Sequence, residues 1–175
     1  MTGFIVGVAL GYCAAALLPA GLTHLHKPIT FARLIAGHGL FAPRVARVVA
    51  LATGTVEVLL GAGALAVFFS GALAWPLLGA ALLIGIAFVA YLVGLLRRPH
   101  SAVGCGCTPF AGPVTPASLL PGAGLAAVSA LALPSSGSTA VQVALFGVVC
   151  GVTLAGAFML VPGSVPLPAD EPRST

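Results

Sequence analysis

Charge is nearly absent from this chain. Only 6% of its 175 residues are Asp, Glu, Lys or Arg, against about a quarter in an ordinary soluble domain. A water-soluble fold needs a polar exterior, and 59% hydrophobic residues leave too little to build one. Acidic residues are scarcest, at three. Asp170 and Glu171 lie in the tail, which leaves Glu57 alone in the body of the chain. The seven basic residues are too few and too dispersed for a phosphate-binding face, so nucleic acid is excluded as a partner. Four cysteines, two in apolar runs and two in one loop, do not make a disulfide framework. Neither a phosphate-cradling glycine loop nor a haem-attachment motif occurs.

What is present is a series of apolar runs. A helix needs about 20 apolar residues to cross a bilayer. Residues 3–22, 45–69, 73–96, 117–133 and 141–161 read as spans, the fourth short and interrupted by Pro121. The first lacks the basic flank of a cleaved signal peptide and is expected to be retained. The second and third should form a helical hairpin. Residues 28–43 are too short to cross. They carry Phe31, Leu34, Ile35 and His38 on one helical stripe with Thr30, Arg33 and Gly37 opposite. Such a segment lies in the interface or folds back into the bundle. The expected fold is an all-α integral membrane protein, with four core transmembrane helices, an extra C-terminal span and a short interfacial helix. Residues 1–162 form one polytopic domain. Residues 163–175, rich in proline, read as a disordered tail.

Small residues recur every fourth position at Gly3, Gly7, Gly11 and Ala15, and again at Gly147, Gly151 and Ala155. Ladders of this kind let helix backbones approach closely in lipid. Cys13 and Cys150 lie off both ladders and read as buried small apolar residues. Lys27, Arg33, Arg44, Arg47, Arg97, Arg98 and Arg173 all fall on one side of the five-span topology. The positive-inside rule makes that side, which carries the loop after the third span, cytoplasmic, in a cell (inner) membrane.

That loop holds Cys105-Gly106-Cys107. Two thiols this close can pair only with strain. A strained disulfide is readily reduced and suits a relay better than a staple. Nearby Arg97, Arg98 and His100 would favour the thiolate. Glu57 is ten residues beyond Arg47, about 15 Å at helical rise. A carboxylate at that depth should face the bundle and be paired, hydrogen-bonded or protonated. It is a candidate proton acceptor for thiol chemistry or a contact for a quinone; a structural polar contact with Thr53, Thr55 or another helix is the plainer alternative. Lys27 suits an interfacial anchor. His24, His26, His38 and His100 share the cysteine side, but their spacings match no closed metal site, so no metal is assigned.

The run Val103-Gly104-Cys105-Gly106-Cys107-Thr108-Pro109-Phe110, after a span ending in basic residues, resembles the MauE/DoxX-like family of redox-associated membrane proteins. Lys27 after the first helix and Thr55-Val56-Glu57-Val58-Leu59-Leu60-Gly61 in the second span extend the likeness over residues 1–133. Family members often carry Phe-Gly directly after the second cysteine, where this chain has Thr108-Pro109-Phe110-Ala111-Gly112. The resemblance implies work in methylamine utilisation. There such proteins assist maturation of the disulfide-rich small subunit of methylamine dehydrogenase, alongside a thioredoxin-like partner. The leading expectation is a membrane thiol–disulfide relay built on Cys105 and Cys107. A non-enzymatic assembly factor and a small-molecule or metal transporter are the rival classes.

The charge asymmetry makes one outcome checkable. A cysteine introduced at Ser101 in a Cys-free background should resist an impermeant maleimide in intact cells and react after permeabilisation. Labelling of intact cells would invert the topology.

Overall fold

A computed structural model describes residues 2–70, 74–97, 115–135 and 141–160 of the chain. Among these residues six α-helices follow one another: α1 Thr2–His26, α2 Pro28–Gly37, α3 Pro43–Ser70, α4 Trp75–Leu96, α5 Leu120–Ala132 and α6 Val141–Leu160. Short 3₁₀ turns, Pro116–Leu119 and Leu133–Ser135, flank α5. No strand occurs among the described residues. The segment with Cys105 and Cys107, together with Arg98, His100 and the tail 163–175, lies outside them.

Among the described residues three helices are long and apolar enough to cross a membrane: Gly3–His26, Pro43–Ser70 and Trp75–Leu96. The lipid-facing side of α3 and α4 carries exposed Val48, Leu51, Val56, Leu59, Leu83 and Ile86. In water so large an apolar face would drive association, whereas in hydrocarbon it is simply the solvated surface. The apolar helix Pro116–Ala132 is shorter. At about 1.5 Å per residue its 17 residues reach about 25 Å, short of a hydrocarbon core of about 30 Å. A count of four core spans therefore goes beyond the three long helices. Pro121 does not interrupt this segment as expected. It sits in the first turn of α5, where its missing N–H would have had no helical partner.

α1 is the hub, packed by α3, α5 and α6. Its contact with α6 is the ladder contact expected from the sequence. A Cβ on Gly147 would strike the carbonyl of Phe4, and one on Gly151 the carbonyl of Val8. One on Gly11 would lie 2.5 Å from the carbonyl oxygen of Val148. The matched rise of these pairs makes α1 and α6 parallel. Cys13 is buried and Cys150 half-buried, both free thiols. Against α3 the order reverses: Gly61 meets Leu18, Gly21 meets Gly54 and Glu57, and Gly54 meets His24 and Leu25. These two helices are antiparallel.

The expected hairpin of the second and third spans needs correction. α3 and α4 meet near their connection, where Leu77 touches Gly63, but they share little else. α4 packs along α5 instead, with Gly85 against Gly122 and Ala126. The small residues decide this. Gly85 and Gly122 admit close backbones, while the facing parts of α3 and α4 carry bulky side chains such as Phe88 and Tyr91. A wedge is left between α3 and α4, and α2 covers one end of it.

α2 folds back along α3, burying Ala32 and Ile35 against Ala46 and Ala50. Its expected stripe holds: His38 is buried and Phe31 and Leu34 are half-buried, while Thr30, Arg33 and Gly37 are exposed. Gly39, at φ 67°, then reverses the chain toward α3, a conformation that costs a residue with a Cβ about 1 kcal/mol or more.

The α1–α6 contact carries its own test. Gly151→Leu should lower thermal stability in detergent by about 1–3 kcal/mol through overpacking. Gly156→Leu should be neutral, because a Cβ there meets nothing within 4 Å. Equal effects would mean that the ladder does not set the contact.

Candidate functional site

The buried face of α3 is Ala46, Ala50, Gly54, Glu57, Gly61 and Ala64. The steps of three and four residues keep all six on one stripe. Five are small, so the neighbouring helix comes close, and the sixth is the carboxylate. A Cβ added at Gly21 of α1 would lie 2.8 Å from both the Cβ of Glu57 and the carbonyl oxygen of Gly54. One turn further along α1, His24 reaches across the narrowed gap. Its Nδ1 lies 2.6 Å from Oε2 of Glu57. His24 is 6% exposed and Glu57 2%. Glu57 therefore faces the bundle and is paired, as its depth demanded. The partner is neither Thr53 nor Thr55 but a residue of another helix, His24 of α1.

A hydrogen bond joins the two groups, its direction set by the imidazole tautomer. That contact lowers the cost of holding a carboxyl group in hydrocarbon. The ring of His24 is also held. Phe31 of α2 stacks on it face to face, with centroids 3.7 Å apart and planes 1° apart. The break at Lys27, itself exposed, lets α2 double back to deliver that ring.

Glu57 lies near the middle of α3 and His24 near the C-terminal end of α1. Glu57 lines a cavity of about 40 Å³ together with Phe88, Leu92, Ser118 and Pro121. The cavity thus reaches along α4 and into the start of α5, the helices between which the Cys105–Cys107 segment runs, and lies inward of the end marked by Arg97 and Thr115. A buried water needs about 10–15 Å³, so this cavity has room for water beside the carboxylate. The backbone N–H of Thr115 donates to the Ser118 hydroxyl at 3.2 Å, so the cavity wall and the tether are joined. The exposed basic residues Lys27, Arg33, Arg44, Arg47 and Arg97 collect at this same end.

The other described histidines, His26 and His38, do not join the pair. The Nδ1 of His38 shares a hydrogen bond with the Tyr91 hydroxyl at 2.5 Å, and His26 is exposed. Among the described residues no three His, Cys, Asp or Glu side chains gather as metal ligands would. Tyr12, which the sequence reading passed over, donates its hydroxyl to the carbonyl of Pro121 at 3.0 Å and ties α1 to α5.

These features define a membrane protein, helical throughout its described residues, with a buried acid–base pair in its core. The sequence model of the family described as methylamine utilisation protein MauE matches residues 1–135, and the chain belongs to that family. The match stops at the end of the α5 segment and leaves α6 outside. Membership ties the chain to methylamine utilisation. No curated protein and no solved structure matches the chain.

Because the pair is buried, its two halves should be strongly coupled. His24→Leu alone strands a carboxylate and should destabilise by about 3–5 kcal/mol, whereas His24→Leu with Glu57→Met should recover most of that loss. A double-mutant cycle of unfolding in mixed micelles measures the coupling. Additive losses would mean that the two groups do not interact.

Proposed function

We propose that this protein is a membrane thiol–disulfide relay serving methylamine utilisation, with Cys105 and Cys107 as the exchanging pair and His24–Glu57 as its proton store. The observation that carries the reading is the buried His24–Glu57 pair, beside a cavity walled by α4 and the start of α5, the two helices between which the cysteine segment runs. Exchange begins with a thiolate, so a thiol must lose its proton before it attacks. A buried, hydrogen-bonded imidazole and carboxyl, beside a cavity with room for water, are suited to take up and return a proton.

The exchange itself balances. A partner thiolate attacks the Cys105–Cys107 disulfide and forms a mixed disulfide, releasing one relay thiolate. The partner's second cysteine displaces the bound relay sulfur and closes a disulfide in the partner. Two protons leave the partner thiols and two arrive on the relay thiols. The partner of this chemistry is a thioredoxin-like protein. Through it, the client is the disulfide-rich small subunit of methylamine dehydrogenase. The basic residues at the site's end support a cytoplasmic setting for the loop in the cell membrane. The short helix α5 and the helix α6 complete a five-span bundle.

A single cysteine substitution tests the relay. Cys107→Ser or Cys105→Ser should trap the partner as a covalent complex, visible as a reducible band, and the double substitution should abolish both the band and function. If each single variant complements a deletion strain fully, the cysteines do not exchange and a purely structural assembly role replaces the relay.

A further inference from the structure

The wedge between α3 and α4 encloses a second cavity of about 260 Å³. We infer that it is a binding slot for a quinone-class molecule, a lipid-soluble ring carrying carbonyl oxygens, which takes electrons from the relay. As an assignment of electron flow this rests on the relay reading; as an assignment of a binding site it does not.

The lining chooses the ligand. Phe31, Phe41, Phe88 and Tyr91 supply rings around an otherwise aliphatic space, which suits a flat aromatic guest. Polar groups enter only at His38, Tyr91 and Thr53. His38, only 7% exposed, and the Tyr91 hydroxyl are hydrogen-bonded at 2.5 Å. An acyl chain has no use for an imidazole and a phenol in its slot. A ring carbonyl accepts from either, and its reduced hydroxyl donates to either. A few placed polar groups in an apolar cleft of roughly this size are the usual form of a small-molecule site.

The approach route also selects for lipid solubility. Ala87, on the cavity wall, is exposed. Its neighbours Leu83 and Ile86 are exposed too, on a membrane-crossing helix. The mouth therefore opens toward hydrocarbon. On the inner side Phe31 is shared: one surroundings is the cavity, and the other is the stacked His24 ring. Phe88 likewise lines both this cavity and the smaller one beside Glu57. The slot thus adjoins the proton store.

A relay that oxidises its partner must lose two electrons each cycle. The Cys105 and Cys107 thiols break two S–H bonds and form one S–S bond. The two electrons and two protons pass to the quinone oxygens, giving the quinol. The acid–base groups on both sides of Phe31 are placed to carry those protons.

Photolabelling of the full chain in phosphatidylcholine nanodiscs with an azidoquinone tests the slot. Labels are expected in the peptides covering residues 28–41 and 84–91, with competition by decylubiquinone and not by decanol. Ala87→Trp, at the exposed rim, and Tyr91→Phe, which keeps the ring, should each weaken competition about tenfold, a loss of about 1.4 kcal/mol. The Cys105→Ser/Cys107→Ser double variant should label like the wild type but fail to reduce decylubiquinone after treatment with dithiothreitol and its removal. Labelling elsewhere, indifference to both rim and ring variants, or equal competition by decanol would overturn the site. Intact labelling without quinone reduction by the cysteine-intact protein would leave the site and overturn the electron transfer.

Discussion

A carboxylate in hydrocarbon needs a partner, and the arrangement of this bundle is organised around supplying one to Glu57. The five small residues sharing its stripe on α3, with Gly21 opposite, bring the α1 and α3 backbones close enough for His24 to reach it. The same contact fixes the depth of α1 against α3. That depth leaves the first turns of α3 uncovered, and α2 folds back to cover them with Ala32 and Ile35. Phe31 then closes over His24. Removing the pair would therefore remove the reason for the α1–α2 break as well as a polar contact.

Glycine placement decides the remaining partners. In lipid no hydrophobic force distinguishes one helix face from another, so close packing does. α1 takes α6 through Gly11, Gly147 and Gly151, and α4 takes α5 through Gly85 and Gly122. α3 and α4 have no such match, and the wedge between them is the consequence. Two chemically different compartments result: a small one with a carboxylate and a serine beside the cysteine tether, and a larger aromatic one open toward lipid. Phe31 and Phe88 form the wall common to the pair and the slot.

Much of this was legible in the sequence, because lipid imposes simple rules. Run length and hydropathy pointed to the three long apolar helices α1, α3 and α4, and the stripe through Ile35 and His38 oriented α2. The four-residue repeats anticipated the α1–α6 contact. Glu57 stood out because a lone acid in a span is costly. His24 did not, since it fell beyond the expected end of the first span; α1 runs on to His26 and brings it into register. The signal that would have found it is the small stripe Ala46, Ala50, Gly54, Gly61 and Ala64 around Glu57, matched by Gly21 three residues before His24. Chain order suggested the hairpin of α3 with α4, but packing between small residues outranks proximity in sequence. The cavity was illegible because its walls come from three helices whose separation no periodicity encodes.

The central claim is that the His24–Glu57 pair serves thiol exchange and does not merely fill the core. The most direct measurement is the exchange rate of the purified His24→Leu/Glu57→Met variant with a small disulfide substrate, compared with the wild type. This variant keeps the volume and removes both titrating groups. General acid–base assistance of this kind contributes about a hundredfold or more, so a loss of that size in a folded variant is predicted. A folded variant that exchanges at the wild-type rate would contradict the account and leave the pair a structural device.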